Sequence, residues 1–253
     1  SAFRSEYYFK LAYSYLMAKD VEKARNLFFQ GTSYKGEYQN YHQYYYGHIA
    51  YEAEQYSTAL GQFKLLIGDE KFGGVVPYYL SQIYYKTGDI DQLLSVGESL
   101  LAQAVPSRAA EVAKLIGEGY YQKSDWKEAA LYLEKHKELG GKLSIQDNYK
   151  LGFVLYKTRR YEEAIKAFNK IHNRGDDLGQ SAYYHLADCY LKTGKKTEAQ
   201  GAFFKASQSG SDKRLREDAY FNYAKLAYDS ATPFEQPLDI FKDFLKKYPN
   251  SKY

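Results

Sequence analysis

Five histidines, one cysteine and a few glycine and carboxylate clusters are the residues of this chain able to do chemistry, and their spacing limits what they can do. His42, His48, His136, His172 and His185 include no pair at i, i+3 or i+4 and no HExxH-like string, so no helix offers two imidazoles to one metal ion. Cys189 is alone, which removes any intrachain disulfide or CxxC motif. It follows Asp188 and stands one turn after His185, where a partner could lower a thiol pKa, although a small buried hydrophobe is the commoner fate of a free cysteine. Gly117-Glu118-Gly119 lacks the third glycine of a dinucleotide loop. Gly140-Gly141-Lys142-Leu143 lacks both the hydroxyl residue and the upstream glycine of a phosphate loop, so these strings read as a helix contact and a turn. Arg174-Gly175-Asp176 reads as a solvated turn, and the acid pairs Glu162-Glu163 and Asp176-Asp177 fall at helix starts, where they complement the helix dipole. The sequence predicts no catalytic residue, no metal and no cofactor.

Those residues are carried on a chain of 253 residues with 35 Lys and Arg interleaved among 31 Asp and Glu. The formal charge of +4 gathers into no basic stripe, which argues against nucleic acid as a partner. No apolar run is long enough to span a bilayer, and no signal-peptide pattern opens the sequence. The composition is unusual in its rings: 30 Tyr and 14 Phe against a single Trp and a single Met. Tyrosine joins an apolar ring to a polar tip and suits surfaces that are sometimes wet and sometimes covered.

A fixed period organises the whole chain. Small residues recur at Ala12, Gly47, Ser81, Gly117, Gly152, Ala187 and Ala224, spaced by 35, 34, 36, 35, 35 and 37. Twelve residues after the first six come Ala24, Ala59, Leu93, Ala129, Ala164 and Ala199, and four further on Phe28, Phe63, Gly97, Leu133, Phe168 and Phe203. The spacing predicts antiparallel helix pairs in which a small residue on the first helix lets the alanine of the second come close, with the phenylalanine filling the gap to the next pair. In the third unit Leu93 and Gly97 exchange large for small, which keeps the packed volume nearly constant. Polar turns separate the helices, with Gly88 and Gly194 at helix C-termini and Asp125 with Glu128 as a capping box. Thr232-Pro233-Phe234-Glu235 reads as a further capping box, with Pro237 delaying the regular helix that follows.

This pattern resembles the tetratricopeptide repeat (TPR). The resemblance implies an all-α, right-handed superhelix of about seven helix-turn-helix repeats, an α-α solenoid over residues 1–253 with repeats near 5–39, 40–73, 74–109, 110–144, 145–179, 180–216 and 217–253. It also implies a non-enzymatic protein-interaction scaffold. The Tyr-rich repeats and the Phe-Leu-Lys-Lys-Tyr-Pro-Asn-Ser ending look like those of bacterial cell-envelope TPR proteins, which implies a periplasmic or outer-membrane address. With no capping helix after Tyr253, the chain reads as a fragment of a longer solenoid whose uncapped, apolar end could self-associate.

In such a superhelix, positions five, nine and twelve of each repeat share one face of the first helix and point into the concave groove. Position five gives Phe9, Tyr44, Tyr78, Lys114, Tyr149, Tyr184 and Phe221; position nine gives Tyr13, His48, Gln82, Glu118, Phe153, Asp188 and Lys225. Position twelve gives Leu16, Tyr51, Tyr85, Tyr121, Tyr156, Leu191 and Tyr228, so thirteen of the twenty-one are Tyr or Phe. The expectation is an aromatic trough that holds an extended peptide or a glycan along Tyr44, Tyr78, Tyr121 and Tyr156, unless the rings merely pack between neighbouring helices. Lys114 and Lys225 are isolated, so the basic clamp with which some TPR proteins grip a terminal carboxylate is not expected here.

Overall fold

A computed structural model of the protein describes residues 2–171, 174–230 and 237–253, and among them every regular element is a helix. They run α1 (Ala2–Met17), α2 (Val21–Gly31), α3 (Gln39–Glu52), α4 (Tyr56–Lys64), α5 (Val76–Lys86), α6 (Ile90–Gln103) and α7 (Pro106–Gln122). There follow α8 (Trp126–Glu138), α9 (Ile145–Lys157), α10 (Tyr161–Phe168), α11 (Asp177–Lys192), α12 (Lys196–Gln208), α13 (Lys213–Ser230) and α14 (Pro237–Lys247). The tight turn inside each of the first six pairs is built alike: Lys19, Glu54, Gly88, Ser124, Arg159 and Gly194 all take a left-handed backbone conformation at equivalent places. Only two of the six are glycine, so elsewhere the helix pair holds a side chain in a conformation that costs it roughly 1–2 kcal/mol.

Caps fix where the second helices begin. Asp20 accepts from the Lys23 amide at 3.2 Å, Asp89 from the Gln92 amide at 3.2 Å and Asp125 from the Glu128 amide at 3.3 Å. A reciprocal capping box that sequence reading passed over opens α9, where the Ser144 hydroxyl accepts from the Asp147 amide and Asp147 accepts from the Ser144 amide. The Thr232–Glu235 box lies outside the described residues, and α14 is described from Pro237 onward.

The fold divides into two compact units, Ser1–Lys123 with Lys135–Gly141, and Ser124–Glu134 with Lys142–Tyr253. In both, the repeat register is the packing register. All seven small residues are buried; Ala24, Ala59, Leu93, Ala129, Ala164 and Ala199 are wholly inaccessible, as are Phe28, Phe63 and Leu133. One detail differs from the sequence reading. The small residue makes room for the phenylalanine of its own repeat: a Cβ added at Gly47 would lie 3.2 Å from the Phe63 ring, and one at Gly152 would lie 2.7 Å from that of Phe168. Three of the four phenylalanines then stack on a ring of the next repeat, Phe28 on Tyr45 (5.2 Å, 13°), Phe63 on Tyr79 (4.8 Å, 17°) and Phe168 on His185 (6.1 Å, 21°). A single ring therefore ties both the pair and the stack together. In the third repeat the space left by Gly97 is taken by Ile116, whose Cγ1 would stand 3.0 Å from an added Cβ, while Leu93 is fully buried.

Two buried histidines fill space beside glycines in the first unit. His42 reaches the Ser5 carbonyl at 2.9 Å and packs against Gly31, and His136 reaches the Ala110 carbonyl at 2.7 Å and packs against Gly141, so of the glycine pair before α9 Gly141 serves packing and Gly140 the turn, at φ 84°. Last, Leu238 and Leu245 on one face of α14 are 63% and 61% exposed, and Tyr228 of α13 is 67% exposed.

Candidate functional site

The position-five rings are half-buried, and the chain covers most of them itself. In the first unit Phe9 is enclosed by Tyr38, Tyr41, Tyr45 and Phe28, with centroids 5.2 to 6.0 Å away. Tyr44 lies under Phe72 of the connector after α4 (4.4 Å, 15°), and Tyr78 under the Arg108 guanidinium at 4.6 Å. In the second unit Tyr184 donates its hydroxyl to Asp218, and Phe221 is stacked by Tyr253 (4.2 Å, 12°). Apart from Phe28, on the second helix of the same repeat, each covering group comes from a connector or helix about one repeat later.

Positions nine and twelve are stitched to each other. Tyr85 is hydrogen-bonded with Glu118, and burial followed by that carboxylate pushes its phenol up to about 12. In the second unit Tyr156 is held in the same way: burial first, then its bond to Asp188, raises it to about 12. Tyr51 lies under Lys86 at 5.7 Å, and burial raises its phenol and that of Tyr121. Gln82 and Lys114 are half-buried on α5 and α7. Phe153 meets Trp126 (5.4 Å) and the face of Tyr149 (6.2 Å, 22°), with Lys157 over its ring at 5.2 Å. Lys225 and Tyr228 stand exposed.

His185, absent from the sequence-derived set, is the hub of the second unit. Phe153, Tyr156, Phe168, Tyr184 and Tyr149 surround its imidazole with centroids 5.1 to 6.4 Å away. Burial, then the charge of Lys157, lowers its pKa to about 4. Beside it Cys189 is wholly inaccessible, and burial with the adjacent Asp188 pushes the thiol up to about 12, so it packs as a hydrophobe and carries no thiolate at neutral pH. The Arg174-Gly175-Asp176 string is spent locally: Asp176 is held at about 2 by the Arg174 guanidinium and accepts from the Gly179 amide at 2.9 Å, capping α11. Among the described residues no three His, Cys, Asp or Glu side chains converge, and no helix is long and apolar enough to cross a membrane.

An apolar concavity in the first unit brings several of the predicted residues together. A cleft of about 500 Å³ opens between the first two repeats, walled by Leu16 and Val21 on one side and by Tyr44, Tyr45, His48, Ile49, Glu52 and Ala53 of α3 on the other. Leu16, Tyr44 and His48 are position-twelve, position-five and position-nine residues, and Tyr13 nearby is 37% exposed, edge-on to Tyr45 at 5.6 Å. Val21 is 47% exposed at the rim. A larger cleft of about 660 Å³ in the second unit is lined by charged residues, among them Asp212, Arg214, Glu217 and Asp218. Its groups pair among themselves, Ser251 donating to Glu217 at 2.6 Å and Tyr253 to Asp218, so size alone does not make it the better site.

Comparison with known proteins agrees with this architecture. One tetratricopeptide repeat model matches residues 149–214 and another matches 6–28 and 218–251. The chain is a tetratricopeptide-repeat protein, the class its helix pairs and their register define. Solved structures of similar fold include YrrB, described as a TPR protein with an unusual peptide-binding site, at 20% identity over 74% of this chain and 93% of that one (TM-score 0.55). MamA from AMB-1 aligns at 25% identity over 70% and 96% (0.54). A tetratricopeptide repeat protein from Parabacteroides merdae aligns at 16% identity over 98% and 99% (0.53). No curated protein matches the chain in sequence.

Proposed function

We propose that this protein is a non-enzymatic interaction scaffold that binds a peptide segment of a partner protein, and that the cleft between α1 and α3 takes the partner's apolar side chains. The observation that carries this reading is the cleft: an open apolar concavity of about 500 Å³, within the size range of ligand sites and lined by position-five, position-nine and position-twelve residues, whereas Phe9, Tyr78, Tyr85, Tyr156 and Tyr184 are already covered or hydrogen-bonded. YrrB's peptide-binding site makes peptide the first macromolecular class to test, by analogy of fold only. A carbohydrate reading draws less support, because Glu118 and Asp188, the acids that would meet sugar hydroxyls, are engaged by Tyr85 and Tyr156.

Peptides selected on the wild-type protein from a random displayed library provide the test. Val21 is half-exposed, so Val21→Asp should leave the fold intact while placing a carboxylate in the apolar mouth, and the selected peptides should bind the variant about tenfold or more weakly. Equal affinity for the two proteins, or a library that yields nothing while a glycan array yields ligands, would contradict the reading.

A further inference from the structure

The chemistry of the cleft says what should accompany the apolar side chain; this inference rests on the peptide reading above. Glu52 is the one carboxylate in the lining, and its side chain is 65% exposed at the rim. Its ion-pair neighbour is His48, one turn earlier at 4.0 Å. Burial holds that imidazole below its ordinary pKa, so it is neutral at pH 7 and does not compensate the carboxylate's charge. Glu52 is also the last residue of α3, where the unsatisfied carbonyls of the helix end add partial negative charge. Glu54 follows in the exposed turn. Three cations of the neighbouring turns have partners of their own: Lys23 pairs with Asp20 at 2.8 Å, Arg25 donates to Gln55 at 3.0 Å, and Lys86 lies over the Tyr51 and Tyr56 rings, sharing the field of Glu54. An apolar mouth with a negative edge is complementary to an apolar side chain beside a positive one.

We propose that the cleft recognises a peptide segment in which a large apolar residue is accompanied by Lys or Arg, the cation pairing with Glu52 while the apolar side chain seats against Leu16, Val21 and Ile49. Random-peptide selections on wild-type, Glu52→Lys and Val21→Asp proteins test it, with far-ultraviolet circular dichroism confirming equal helicity. The wild type should enrich apolar-plus-basic segments. Glu52→Lys should keep the apolar requirement and switch the companion to Asp or Glu. Glu52→Gln should weaken the best wild-type peptide about three- to fivefold, less at high salt, as befits an exposed pair. Apolar peptides without charge bias, or a basic preference that survives Glu52→Lys, would overturn the proposal and leave the peptide reading standing. Peptides that bind Val21→Asp as well as wild type would overturn both.

Discussion

Replacing Phe63 by alanine is expected to destabilise the first unit by about 3–5 kcal/mol, the range for truncating a fully buried aromatic residue. The ring is completely inaccessible, faces Gly47 within its own repeat and stacks on Tyr79 of the next at 4.8 Å. Its loss opens a cavity in both contacts at once, and a repeat array depends on contacts between neighbours for most of its cooperativity. Urea unfolding followed by circular dichroism measures the change. A loss below about 1 kcal/mol would mean that the two-sided role assigned to this ring is wrong.

Acid should unfold the second unit through His185. An unfolded histidine titrates near 6.5, whereas burial among five rings and the charge of Lys157 hold His185 at about 4. Because the folded pKa is the lower one, the unfolded state binds the proton first. The contribution is whole above pH 6.5, is lost as pH falls from 6.5 towards 4, and does not fall further below that. Over that window the difference is about 3 kcal/mol. His42 and His48 are lowered in the same direction by burial and add to the trend in the first unit. His185→Phe keeps a ring in the cluster and removes the proton, so its stability should fall less between pH 7 and 4 by that amount. Parallel pH profiles for the two proteins would contradict the assignment.

The two rings also show how far the sequence could be read. Small, Ala and Phe positions recur with a period set by two helices and their turns, and burial at each position is decided within one repeat or against its neighbour, so Ala12, Ala24 and Phe28 could be read as core. Tyr45, Tyr79 and His185 share one repeat position and follow three of the four repeats in which the second helix carries Phe, a signal present in the sequence and visible once the stacking partner is known. Position five was harder. Whether Tyr44 or Tyr78 faces a partner depends on Phe72, in a connector whose path no helical periodicity describes, and on Arg108, in the first turn of α7, whose reach back to the preceding repeat follows from how the helices stack. The cleft eluded sequence reading for the same reason: Val21 and Ala53 are turn-edge residues that join Leu16 and His48 only when the helix pairs are stacked.

Titrating isotopically labelled protein with a library-selected peptide and following backbone amide shifts tests the central claim most directly. The account predicts that the largest changes cluster at Leu16, Val21, His48, Ile49 and Glu52. Largest changes at Tyr85 and Tyr121, or in the second unit around Phe153 and Tyr156, would place the partner elsewhere and contradict it.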